Sequence, residues 1–64
     1  MKAKCVKNEI NNTNFTVNKE YEMFEGGIRT DCAGMWVHFG DWNRPKSFKK
    51  ESVFKFAQCE FEIL

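Results

Sequence analysis

Long apolar runs are missing from this chain, and so are most residues that punctuate loop-rich or secreted proteins. Proline occurs once, histidine once and glycine four times in 64 residues. No apolar stretch approaches the ~20 residues that a membrane-spanning helix needs. Met1-Lys2-Ala3-Lys4-Cys5-Val6-Lys7 carries basic residues with no apolar stretch behind them. No signal peptide and no membrane partner are therefore expected, and the expected location is cytoplasmic.

Charge of one sign is lacking too. Ten Lys and Arg stand against nine Asp and Glu, for a formal net charge of +1. A dedicated duplex-DNA binder would carry a clear basic excess, so that class is disfavoured. An acidic mimic of nucleic acid is disfavoured on the same count. Cysteine is scarce and odd in number: Cys5, Cys32 and Cys59. A disulfide scaffold normally shows an even set, so buried free thiols are expected, although Cys5 and Cys59 fall on strands that could neighbour one another.

What the chain does have is aromatics, 16% of its residues, with 42% hydrophobic and 30% charged. That balance excludes a disordered chain. The length sets one small domain, residues 1–64, which buries only ~60% of its unfolded surface. It leaves little material for both a core and a solvent-excluding catalytic pocket, so no enzyme is expected.

Period-two alternation dominates the chain. Residues 2–6 read as a strand with Ala3 and Cys5 on one face and Lys2 and Lys4 on the other. Residues 8–14 form a polar loop, where Asn8, Asn11, Asn12 and Asn14 suit turns. Residues 19–25 alternate Tyr21 and Met23 against Glu20 and Glu22. Gly26-Gly27 reads as a two-residue hairpin turn needing positive φ. A short strand over 28–31 and a turn at Asp31-Cys32-Ala33-Gly34 follow. Residues 35–39 place Met35, Val37 and Phe39 inward and Trp36 and His38 outward.

Gly40-Asp41-Trp42-Asn43-Arg44 reads as a turn, Pro45 as the opening of an edge strand, and 46–49 as a fifth strand. Residues 50–56 lose the alternation and fit a single helical or 3₁₀ turn, because Val53 and Phe56 lie three apart. Residues 58–63 close the chain with Cys59, Phe61 and Ile63 inward. The expected architecture is all-β. Five to six short antiparallel strands form a small barrel or bent sheet, with the first and last strands paired and Lys2 and Lys4 near Glu60 and Glu62. The expected core is Ala3, Cys5, Tyr21, Met23, Met35, Val37, Phe39, Cys59, Phe61 and Ile63.

Two segments, Lys2-Ala3-Lys4-Cys5-Val6 and Thr16-Val17-Asn18-Lys19-Glu20-Tyr21-Glu22, resemble the opening of small SH3-like barrel proteins of phages and prophages. Val37-His38-Phe39-Gly40-Asp41 and Ser47-Phe48-Lys49-Lys50-Glu51-Ser52-Val53-Phe54 fill the later slots of that pattern. Asn18 stands where glycine is usual and can supply the same left-handed backbone. The segment 40–45 carries Trp42 and Arg44 where a plain turn would suffice. The resemblance implies an SH3-like barrel and a phage or bacterial origin, hence a location in the host cytoplasm. It implies no shared catalytic residue.

The motifs that would carry chemistry are weak. Ser47-Phe48-Lys49-Lys50 matches S-x-x-K but lacks the helix and partner motifs that the nucleophile needs. Cys5, Cys32, His38 and Cys59 contain no closely spaced ligand pair, so no zinc site and no cofactor are expected. His38 has no companion nucleophile. Gly26-Gly27 lacks the Lys-Ser/Thr of a phosphate loop.

One feature rises above this background. Trp36 and His38 point away from the core face, Trp42 lies on the adjacent turn, and Arg29, Arg44 and Lys46 could border them. Small barrels place some aromatics on both faces for structural reasons alone. Trp and Arg are also the residue types that dominate interaction hot spots. The expected function is an accessory protein that binds and modulates a host protein, such as a defence or nucleic-acid-processing factor, by steric contact. The alternatives are an RNA or single-strand binder stacking bases on the same face, and a self-associating subunit.

Overall fold

The computed structural model describes residues 1–32, 35–40 and 44–64. Residues 41–43 of the turn expected over 40–44, and 33–34 of that expected over 31–34, lie outside them. Six strands make one antiparallel sheet: β1 (Lys2–Asn8), β2 (Glu20–Phe24), β3 (Gly27–Arg29), β4 (Trp36–His38), β5 (Val53–Phe56) and β6 (Cys59–Ile63). Their spatial order is β4-β3-β2-β1-β6-β5. The first and last strands pair as expected, with Lys4 opposite Glu62. Lys2 faces Glu22 of β2 instead. The sheet curls into a half-barrel of the small SH3-like kind. No helix among the described residues is long and apolar enough to cross a membrane.

β1 runs two residues beyond its expected end. Its register against β6 steps from Cys5–Phe61 to Lys7–Glu60, so Val6 is an extra, unpaired residue. Such a bulge bends and twists its strand, which helps the sheet curl. It also resets the inward-outward alternation, which is why the period breaks in the sequence at that point. Lys7 lies 3.8 Å from Glu60 and 3.6 Å from Glu9, and Lys55 lies 3.3 Å from Glu9. These pairs are exposed and contribute little.

The core is aromatic. Phe61 is fully buried, with Phe15 edge-on at 5.0 Å and Phe54 stacked at 5.3 Å. Phe15 also meets Tyr21 edge-on at 5.3 Å. Phe39 packs on Phe54 at 5.7 Å and on Phe56 at 5.1 Å. Phe39 follows β4 and its partners lie in β5, so side chains close the side of the half-barrel where, among the described residues, no strand ladder runs.

Several expectations need correction. Met35 is exposed, and Val37 only partly buried. Met35 sits in the β3–β4 connection, where its N–H donates to Cys32 O and its carbonyl accepts from Thr30 N. That places it past the end of the core. Phe15, Ile28 and Phe56 take core positions instead. Phe15 is flanked by polar loop residues and gives no periodic signal.

Residues 46–49 form no strand. Ser47 Oγ accepts from Lys49 N at 3.2 Å, and Lys49 O accepts from Ser52 N at 3.1 Å. Those bonds make a turn, with Glu51 at φ 73°. The fifth strand is Val53–Phe56, where a helical turn was expected. Phe54 and Phe56 point inward and Val53 and Lys55 outward. Adjacent Val53 and Phe54, both apolar, hide that alternation. The β5–β6 turn, Ala57-Gln58, has both residues at positive φ, the requirement of a type I′ hairpin.

The asparagine loop folds on its own side chains. Asn8 Nδ2 donates to Asn12 O and Phe15 O, both at 3.0 Å, and Asn8 Oδ1 accepts from Asn12 N at 2.8 Å. Asn18 has the left-handed backbone expected of it, at φ 73°.

Asp31 ties this loop to the sheet. It accepts from Thr16 Oγ1 at 2.8 Å, Lys19 Nζ at 2.6 Å and Tyr21 OH at 3.0 Å. Partial burial pushes its carboxyl up, but the hydrogen bonds from Lys19, Thr16 and Tyr21 outweigh it and hold the pKa below its ordinary value. A depressed carboxylate contributes stability above its unfolded pKa of ~3.9, and that stability is lost as pH falls through the folded value. Acid unfolding should therefore steepen below about pH 4. Asp31→Asn should cost about 1–3 kcal/mol at neutral pH and flatten that acid limb, as read by denaturant melts across pH.

All three cysteines are free, with Cys5 and Cys59 buried and Cys32 exposed. Burial, and then the neighbouring Cys5, push the Cys59 thiol up to about 11, and burial raises Cys5 as well. Only the thiolate is nucleophilic. A thiol reagent at neutral pH should label one cysteine per native chain, Cys32, and all three in denaturant. Fast native labelling of Cys59, read by peptide mass mapping, would contradict this packing.

Candidate functional site

The β2–β3–β4 meander carries the exposed aromatic set. Its pairing is Phe24–Gly27, Gly27–His38, Ile28–Val37 and Arg29–Trp36. Met23 and Ile28 are buried. Strand alternation therefore puts Phe24, Gly27, Arg29, Trp36 and His38 together on the outer face. The hairpin turn is Glu25-Gly26, one residue earlier than expected, and neither Gly26 nor Gly27 is among the positive-φ residues. These glycines are needed for their missing side chains. A Cβ on Gly27 would lie 2.5 Å from Val37 O and 3.2 Å from the Phe24 ring, and one on Gly26 would lie 3.0 Å from that ring.

The bare backbone at Gly27 lets Phe24 lean across the sheet. Its ring meets Trp36 edge-on at 5.1 Å and His38 at 6.4 Å. The Arg29 guanidinium lies 4.5 Å over the Trp36 ring. Phe24 is 42% exposed, and Trp36 and Met35 each 37%. The result is a prearranged aromatic patch with a cation stacked on it. Such a stack is worth ~0.5–1 kcal/mol at an exposed site and more once water is removed. The patch can bury large flat area and orient a polar group. Among the described residues no three metal-ligating side chains converge.

The structure thus joins three of the expected site residues, Arg29, Trp36 and His38. Trp42 lies outside the described residues. Arg44 and Lys46 are exposed and line a different feature, a cleft of about 490 Å³ between residues 44–47 and 52–55. Phe24 is the member that sequence reasoning missed. Its parity with Glu20 and Glu22, opposite to Tyr21 and Met23, was the available signal.

Fold and patch together define a small SH3-like half-barrel with an aromatic outer face. No family model, no curated protein and no solved structure matches this chain.

Proposed function

We propose that this is a protein-binding module whose outer β2–β3–β4 face captures a partner protein. The observation that carries this reading is the Phe24–Trp36–Arg29 arrangement, an edge-to-face aromatic pair with a guanidinium on top, held half-exposed by a glycine floor. Half-exposed aromatics beside Arg are the anchors from which interaction hot spots are built. Charge is nearly balanced over the chain, which favours a protein surface over a polyanion. In the setting that the phage-like sequence pattern implies, the partner is a host protein such as a defence or nucleic-acid-processing factor, and the effect is steric inhibition.

The test is capture of partner from host lysate by the wild type and by a Phe24→Ala, Trp36→Ala variant. The variant should keep its thermal midpoint within a few degrees, because both side chains lie on the outer face. It should lose about 100-fold or more in affinity for the captured protein. Undiminished capture by the double variant would refute the proposal. Capture that collapses steeply with rising salt and is abolished by nuclease would favour base stacking on the same face.

A further inference from the structure

We propose that the free edge of β5 is a docking site for an acidic, extended peptide segment, which adds as a strand in the cleft beside residues 44–47. This surface is separate from the aromatic face.

Among the described residues β5 ends the sheet, with β6 as its only strand neighbour. The turn between them is Ala57-Gln58, so Phe56–Cys59 is a hydrogen-bonded pair, and the pairs then alternate. Phe54–Phe61 is again bonded, while Lys55–Glu60 and Val53–Glu62 are not. The bond from Ile63 N to Ser52 O agrees with this phase. The N–H and C=O groups of Val53 and Lys55 therefore point away from β6. Among the described residues no backbone hydrogen bond reaches them. An exposed row of this kind is a template for another strand.

The cleft of about 490 Å³ opens onto this edge. Among the described residues its lining carries three cations, Arg44, Lys46 and Lys55, and no carboxylate; Lys55 is already paired with Glu9 at 3.3 Å, so Arg44 and Lys46 are the cations that an incoming segment would meet. Lys49 and Lys50 stand exposed on the turn that leads into β5. Ser47 and Ser52 hydroxyls, 3.3 Å apart, add polar groups to the wall. The unpaired backbone groups call for a peptide, and the cations call for carboxylates on it. Strand addition takes affinity from main-chain bonds and selectivity from alternate side chains. Four residues of β5 span about 13 Å, so the site fits about four residues of the incoming segment.

The probe is an end-blocked hexapeptide alternating glutamate and valine, titrated into isotopically labelled protein. Saturable binding should slow amide exchange at Val53 and Lys55 and shift Arg44 and Lys46. The matching lysine–valine peptide should bind about tenfold more weakly or not at all. Arg44→Glu with Lys46→Glu should weaken the acidic peptide by about tenfold or more. Val53→Pro removes one outward N–H without touching the β5–β6 ladder, and should abolish the added protection at Lys55. The proposal falls if Val53 and Lys55 keep fast exchange at saturation, or if both peptides bind alike. It also falls if protection at Val53 and Lys55 rises with protein concentration alone, which would mean self-association. Displacement of the peptide by a short single-stranded oligonucleotide that binds more tightly would assign the cleft to nucleic acid instead.

Discussion

Phe61→Ala is expected to leave most of the chain unfolded at room temperature. Phe61 has no exposed surface and sits where Phe15, Tyr21 and Phe54 converge. Truncating a buried phenylalanine costs about 3–5 kcal/mol, part transfer and part cavity. Stability scales at roughly 0.05–0.15 kcal/mol per residue, which gives about 3–10 kcal/mol for a chain this size. A single core in a chain this short rarely supplies more than about 3–5 kcal/mol, so the loss is comparable to the whole. Phe61→Leu keeps most of the volume and should cost less than half as much. Far-ultraviolet circular dichroism and denaturant melts check both variants. A cooperative melt for Phe61→Ala within 1 kcal/mol or so of wild type would show that the aromatic centre is not packed as described.

The second large effect is expected from Gly27→Ala. The added methyl would meet the carbonyl oxygen of Val37 at 2.5 Å, and that atom is backbone on the neighbouring strand. A strand must then shift, and overpacking of this kind costs about 1–3 kcal/mol. The same methyl displaces the Phe24 ring, so the patch should open and partner capture should fall together with stability. Gly26→Ala is the control. Its methyl meets only the far part of the Phe24 ring, at 3.0 Å, which can swing aside. It should cost a fraction as much. Phe24→Ala should not rescue Gly27→Ala, because the clash with Val37 O remains. Equal effects of the two glycine substitutions would mean that the ring, not the backbone, sets the requirement.

Most strands were legible because their residues alternate locally. Lys2 to Cys5, Glu20 to Met23 and Cys59 to Ile63 each show a clean two-residue period, and each is a strand. The pairing of the first and last strands followed from small-barrel topology. The failures share a cause. At Val6 a bulge shifts the phase, and at Val53-Phe54 two neighbouring apolar residues point to opposite faces. Phe15 is buried by a loop that asparagine side chains fold over the core. None of these has a periodic trace.

The candidate site divides in the same way. Alternation alone assigns Trp36 and His38 to the outer face. It does not reveal that Phe24 joins them, because that contact needs the bare backbone at Gly27 and the β2–β3 register. Closeness in sequence to Trp42 placed Arg44 and Lys46 beside the aromatic set; in the structure they line the wall of the β5 cleft.

Composition and local period are thus enough for strand identity and for the inward or outward sense of most side chains, since both depend on near neighbours. Which strands stand at the sheet's edges, which glycine must stay bare, and which cations share a cleft depend on contacts between residues far apart in the chain. Those contacts exist only once the sheet has curled and the phenylalanines have packed inside it.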